Sequence, residues 1–278
     1  MLIVRKTLGI LIVLALVVTP LSGAHAASTR YKISATVTDD KLDLTSGDGS
    51  NRSTRIKGKV TGGKVKGKRV RIYYRNVSTK AAPRKLLGTA RLSSSGRFSK
   101  KWKPKDGGRY EIDVVKPAGS GKKAGTDPTR VYVYQFVSPT YMFDRAASSG
   151  SAYTNREKLG NGSYYRDGYA ITGGGRAVFD TRGFHCMRVN FKTGPSSRST
   201  AGRGTIRVTQ RRTLVTRDLA KGQVYEASPT VQKKMNARDK ITFSVARRAD
   251  LSDQAALRFV VGRPVAACTY PTRSTPYR

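Results

Sequence analysis

From residue 27 onward, apolar residues recur at every second position in short runs, broken about every 8–12 residues by Gly, Ser, Asn or Pro. Side chains alternate across an extended strand, so each run has one apolar face and one polar face. No apolar spacing of three to four residues is sustained over a dozen positions, which excludes a helical bundle. The pattern therefore predicts an all-β chain. Only residues 219–240 are compatible with a short helix.

The strands fall into two blocks. The first places strands at 31–37, 55–60, 69–75, 86–92, 97–102, 109–115 and 129–136. Within it, Ile56 and Val60 share one face, opposite Arg55, Lys57 and Lys59. Likewise Val70, Ile72 and Tyr74 oppose Arg69, Arg71, Tyr73 and Arg75. Ser93-Ser94-Ser95-Gly96 marks a hairpin. Seven short strands in one block suit a two-sheet sandwich of immunoglobulin type. A linker is expected around Ser138-Pro139-Thr140. The second block places strands at 177–180, 186–191, 204–209, 240–246 and 257–261. Just before its first strand, Gly173-Gly174-Gly175 reads as a tight turn. A phosphate-binding loop would need a Lys-Ser pair and a helix after it, and neither follows.

The first 26 residues read differently. Arg5 and Lys6 precede an apolar run from Leu8 to Val18, Thr19-Pro20 ends it, and Ala24-His25-Ala26 offers a cleavage site. The run is too short for a membrane-spanning helix. A secretory signal peptide over 1–26 is the expectation, and with it a secreted protein, extracellular or loosely wall-associated. With no sorting motif or apolar tail at the C-terminus, non-covalent attachment is expected. Export makes the chain's two cysteines, Cys186 and Cys268, a predicted disulfide. Two cysteines and one further histidine cannot assemble a Cys/His zinc site, and no cofactor or metal is expected.

Two resemblances refine the fold. The succession KGKVTGGKVKGKRVRIYYRN, KLLGTARLSSSGRFSKKWKP and GGRYEIDVV resembles the bacterial Ig-like modules of secreted and surface proteins. The segments GSYYRDGYAITGGGRAVFDTRGFHCMRVNF, GTIRV, DLAKG, KITFSV and ALRFVVGRPVAAC resemble NPCBM-type, jelly-roll carbohydrate-binding-like modules. The acidic, Trp-containing segment that those modules carry before the last strand is reduced here to Ser252-Asp253-Gln254. The resemblances imply an Ig-like β-sandwich over 27–137 and a jelly-roll-like β-sandwich over 138–278, with glycan contact by the second.

Charge points to a partner. The chain carries 54 Lys and Arg against 17 acidic residues, and without residues 1–26 its formal charge is +35. Such an excess exceeds what solubility needs and favours anionic partners. Residues 49–105 hold 19 Lys and Arg and no acidic residue. The predicted anion-binding set is Arg55, Lys57, Lys59, Lys64, Lys66, Lys68, Arg69, Arg71, Tyr73 and Arg75. These form one field if 55–60 and 69–75 are neighbours in a sheet. Outside a cell, anionic envelope polymers or glycans are the expected partners, and extracellular nucleic acid is an alternative that uses the same electrostatics.

Catalytic signals are sparse. His185 stands beside Cys186, and successive strand residues point to opposite faces, so the two cannot act as a nucleophile–base pair. No G-x-S-x-G elbow is present. Glu111 and Asp113 share a strand face among basic residues and read as ion-pair partners. Asp39, Asp40, Asp43 and Asp48 lack the spacing of a calcium loop and read as a solvated turn. A non-enzymatic binding protein is expected. The enzymatic alternative is a glycan hydrolase in which Asp167, Asp180, Glu226 or Asp253 converge at about 5–10 Å.

Overall fold

The computed structural model describes residues 29–45, 51–79, 82–154, 156–165, 167–227 and 240–270. The expected signal peptide and Asp48 lie outside them. The described residues form a β-sandwich protein whose only helical elements are two 3-10 turns, at Pro139–Tyr141 and Gln254–Ala256. Among them no helix is long and apolar enough to cross a membrane.

In chain order the first strands are β1 (Lys32–Val37), β2 (Lys41–Asp43), β3 (Thr54–Thr61), β4 (Arg69–Asn76), β5 (Lys85–Arg91), β6 (Arg97–Trp102), β7 (Gly108–Lys116) and β8 (Gly125–Val137). They divide between two sheets. β1, β3 and β6 form a three-stranded sheet with β3 in the centre, while β8, β7, β4 and β5 are consecutive neighbours in a thirteen-stranded sheet. β2 adds to β8 in parallel. The alternation read from the sequence is the reason the sheets pack. Ile56, Val60 and Phe98 from the small sheet meet Val70, Ile72, Ile112, Val114, Val131 and Val133 from the large one in a single buried cluster.

The remaining strands are β9 (Ser149–Thr154), β10 (Gly168–Asp180), β11 (Cys186–Pro195), β12 (Arg203–Gln210), β13 (Arg212–Ala220), β14 (Tyr225–Ala227), β15 (Lys240–Val245) and β16 (Arg258–Cys268). A second cluster, from Val137 to Tyr270, forms their core. β13, β12, β15, β10 and β16 continue the large sheet, and β11 pairs with both β16 and β14.

One expectation, the turn at Gly173–Gly175, is corrected, and two other segments are located. Of 219–240, the described residues end β13 and form β14, and 228–239, the rest of the segment compatible with a short helix, lie outside the described residues. Gly173–Gly175 is not a turn between strands but an interruption inside β10. Residues 168–172 pair with β16, residues 176–180 pair with β15, and the glycines lie where the partner changes. A Cβ on Gly175 would come within 2.8 Å of the Gly150 carbonyl oxygen, so no larger residue fits that close approach. The expected linker at Ser138-Pro139-Thr140 follows β8 and runs into the 3-10 turn at Pro139–Tyr141. β8 runs through Val137 and pairs there with β16, bringing Val137 opposite Ala266 and Gln135 opposite Cys268.

The predicted disulfide is formed. Cys186 and Cys268 sit directly opposite each other across β11 and β16, 82 residues apart in sequence. Closing so long a loop stabilises the fold by about 4 kcal/mol on chain-entropy grounds. Because Cys268 also faces Gln135 of β8, the bond lies at the seam of the two cores. Other contacts hold the same seam. Ser78 donates its hydroxyl to the Thr269 carbonyl at 2.8 Å, Gln135 donates to the Tyr270 carbonyl at 2.8 Å, and Arg188 pairs with Asp43 at 2.9 Å.

Candidate anion-binding face

β3 supplies the centre of the candidate site. Its core side carries Ile56, Gly58 and Val60, and its outer side carries Arg55, Lys57 and Lys59, all exposed. Gly58 has a packing role: an added Cβ would lie 2.8 Å from the Phe98 ring and only 2.1 Å from the Ser34 carbonyl oxygen. The two lysines therefore flank a position where only glycine fits.

The neighbouring strands extend the same outer face. On β6 the exposed positions are Arg97, Ser99 and Lys101; on β1 they are Lys32, Ser34 and Thr36. Antiparallel register sets Lys59 opposite Arg97 and Arg55 opposite Lys101. It also sets Lys57 between Thr36 and Ser99, and Lys59 between Ser34 and Arg97. Six cations and a scatter of hydroxyls thus cover one sheet face, and none of the three strands contains a carboxylate. Among the described residues no ion pair engages any of the six. Arg55 donates to the Ser99 hydroxyl at 3.2 Å, which holds its guanidinium over the face. Like charges placed directly opposite destabilise a strand pair, and here two such pairs flank the Lys57–Ser99 pair.

The cations of β4 are elsewhere. β3 and β4 are not neighbours; they belong to different sheets, and their apolar sides meet in the first core. Arg69, Arg71, Tyr73 and Arg75 therefore project from the opposite side of the sandwich. The expected single field formed by both strands is corrected on this point. Alternation correctly assigns each side chain to core or solvent, but it carries no information about which strand lies beside which.

On the β4 side, positive charge is compensated in part: Arg75 and Arg84 are paired, while β5 sets Arg91 opposite Arg69. β7 sets Glu111 opposite Arg75 and Asp113 opposite Tyr73. Arg75 pairs with Glu111 at 2.6 Å, and Arg84 pairs with Asp113 at 3.0 Å. The hydrogen bond Arg75 donates to Glu111, with that carboxylate's charge, holds the guanidinium still more firmly protonated. The Arg84 guanidinium also lies 4.1 Å above the Tyr73 ring, so that ring is covered by the protein's own cation. Glu111 and Asp113 are ion-pair partners, as expected, though of Arg75 and Arg84. Lys64, Lys66 and Lys68 are exposed in the connection between β3 and β4, at the end of the sandwich where the sheets are joined, with Val65 turned inward between them.

Sequence reasoning missed Lys32, Arg97 and Lys101 as members of the β3 face. Their alternation was visible, but only the strand order brings them beside Lys57 and Lys59.

The other sequence candidates are placed separately. His185 precedes β11 with a positive φ of 50°, and burial together with the nearby Arg109 charge pushes its imidazole below the ordinary histidine range. Asp43 is tied to Arg188. Asp167 accepts from the Tyr153 hydroxyl at 2.8 Å, Glu226 pairs with Lys192 at 2.8 Å, and Asp253 accepts from the Ala255 amide at 2.8 Å. The buried Asp180 accepts from Arg182 Nε at 2.7 Å. Asp167 immediately precedes β10 and Asp180 ends it, so these two carboxylates stand at opposite ends of a long strand. Among the described residues no cluster of three or more His, Cys, Asp or Glu could hold a metal ion.

No protein-family model matches the chain, and no curated protein matches it in sequence. Several solved structures resemble it weakly. The CBM51-2 and INT domains of Clostridium perfringens ZmpB align at 8% identity over 58% of this chain and 38% of that one, with a TM-score of 0.39. CBM51 from Clostridium perfringens GH95, in complex with methyl-galactose, aligns at 10% identity over 48% of this chain and 99% of its own length, again with a TM-score of 0.39. The M60 catalytic domain with CBM51-1 and CBM51-2 of ZmpB aligns at 10% identity over 86% of this chain and 31% of that one, with a TM-score of 0.39. The chain thus spans well under half the length of both ZmpB structures.

Proposed function

We propose that this protein is a secreted, non-catalytic, envelope-associated binding protein that attaches to anionic polymers through the outer face of β1, β3 and β6. The signal-peptide pattern of residues 1–26 supports the location. In this reading residues 27–137 form an Ig-like attachment module, and residues 138–278 a second module fused to it through the β8–β16 seam. The observation that carries the proposal is a sheet face bearing Lys32, Arg55, Lys57, Lys59, Arg97 and Lys101 with no carboxylate on its strands. Two direct like-charge pairs cost stability, and a bound polyanion relieves that cost. Across strands the cations are spaced about 5 Å apart, and along a strand about 7 Å. That array suits a flexible chain of repeated negative charges rather than one compact anion.

The test is equilibrium binding of the full chain to poly(glycerol phosphate) and to single-stranded DNA across a salt series. Binding to poly(glycerol phosphate) should weaken linearly in log K against log salt, with about 0.7 to 0.9 of a unit of slope for each phosphate contacted. The triple variant Lys57→Glu, Lys59→Glu, Arg97→Glu should lose this binding. Undiminished binding by the folded triple variant would sink the proposal. Equal affinity for DNA would make the face a general polyanion surface, with location setting the partner.

A further inference from the structure

The cationic face does not stop at the end of β6. Beyond Lys101 the chain turns inward at Trp102, then continues through Lys103, Pro104 and Lys105 toward β7. Here the sandwich opens into a cleft of about 370 Å³, within the size range of small-ligand sites. Its apolar walls are Tyr74, Trp102, Tyr110 and Leu87, and its mouth carries Lys85, Lys103, Lys105 and Asp106. From Lys59 to Lys103 the basic track runs about 20 Å along the sheet.

The three rings define what can enter. Trp102 meets Tyr110 edge to face, with centroids 5.1 Å apart and planes at 78°. Tyr74 lies 6.1 Å from Trp102 and 6.0 Å from Tyr110, tilted by 36° and 53°. Such mutually tilted rings, two of them buried to 6% exposure, do not offer the open flat face that a stacked nucleobase needs. They do offer an apolar hollow with aromatic edges and faces, suited to the C–H surface of a puckered sugar ring. Burial keeps the Tyr110 phenol protonated, and its hydroxyl donates to the Asp106 carbonyl at 2.9 Å, which fixes the wall. The exposed Asp106 carboxylate can accept from ligand hydroxyls, while Lys85, Lys103 and Lys105 supply positive charge at the rim. A polyphosphate lacking rings has nothing to place against the aromatic walls.

We infer that this cleft is a subsite for an acidic pyranose, a carboxylate-bearing sugar unit of the same polyanion that lies along the β1–β3–β6 face. The inference rests on the polyanion-binding reading and narrows its ligand to an acidic glycan.

The chain contains one tryptophan, so Trp102 fluorescence reports on the cleft alone. The probes are tetragalacturonate and inorganic tetraphosphate, titrated into the full-length protein at low salt. Tetragalacturonate should shift Trp102 emission saturably, and tetraphosphate should not. Tyr74→Ala should weaken tetragalacturonate by about tenfold, a loss of 1.4 kcal/mol, and leave tetraphosphate within about twofold. Because Tyr74 packs on the core, the exposed double variant Lys103→Gln, Lys105→Gln is the second arm, and it should weaken tetragalacturonate by about threefold to tenfold. Equal Trp102 shifts with both probes, or unchanged tetragalacturonate affinity in both variants, would overturn the subsite. Failure of the broader reading looks different: polyanion binding would survive Lys57→Glu, Lys59→Glu, Arg97→Glu, whatever Trp102 reports.

Discussion

The outer faces of β3 and β4 come from one uninterrupted basic stretch, yet they differ in electrostatic character. β3 lies between β1 and β6, which bring more cations and no carboxylate. β4 lies between β5, which sets Arg91 opposite Arg69, and β7, which brings Glu111 and Asp113 to neutralise Arg75 and Arg84. Two faces with similar local sequence therefore differ through their neighbours. A run of positive charge leaves a fully uncompensated field only where the neighbouring strands bring no carboxylate to it. Exposed pairs such as Arg75–Glu111 add little stability. What Glu111 and Asp113 change is the field that an approaching polyanion meets.

The largest expected effect sets the two faces against each other directly. Reversing three charges on β4, Arg69→Glu, Arg71→Glu and Arg75→Glu, should lower polyanion affinity by no more than about fivefold, against a loss of about a hundredfold or more for the β3/β6 triple variant. Equal losses, measured by the same salt titration, would erase the distinction. A smaller effect should run the other way. Glu111→Gln with Asp113→Asn removes the compensation from the β4 face and should raise affinity by about threefold, with stability changed by under about 1 kcal/mol because both pairs are exposed.

Smaller still is a trade between stability and binding at one residue. Lys59→Glu places an acid opposite Arg97 and should stabilise the protein by about 0.2–1 kcal/mol in denaturant unfolding while weakening binding. Destabilisation would mean that the Lys59–Arg97 pair carries no repulsion. The smallest effect concerns a positive charge that the fold suppresses. Burial and Arg109 hold His185 below the ordinary histidine range, whereas in the unfolded chain it returns to about 6.5. The unfolded state then takes up the proton more readily. Its contribution to stability is whole above about pH 6.5 and is lost as pH falls below that value. Unfolding midpoints measured from pH 7.5 to 5.5 should fall less steeply in His185→Gln.

Much of this protein was legible along the chain. All seven strands expected in the first block are present with bounds shifted by a few residues, because period-two patterning follows directly from which side of a strand meets the core. The Cys186–Cys268 bond was legible from count and predicted compartment. Other elements were not. β9 is built from Ser149–Thr154, with no apolar alternation to reveal it. β13 carries Arg212, Thr216, Arg217 and Asp218 exposed beside its neighbour β12, and reads as a polar segment. Gly173–Gly175 looked like a turn because a bulge and a turn need the same residue.

The sequence by itself determined the all-β class, which side chains face the core, the disulfide, and the size of the positive charge. These depend on local periodicity and on residue chemistry. Tertiary structure alone decided which strands are neighbours. It separated β3 from β4, gathered Lys32, Arg97 and Lys101 around Lys57 and Lys59, and set Trp102 into a cleft at the end of that face. The physical reason is that strand pairing joins backbones through hydrogen bonds common to every residue. Order within a sheet is therefore settled by long-range packing of the whole core, not by any segment's own side chains.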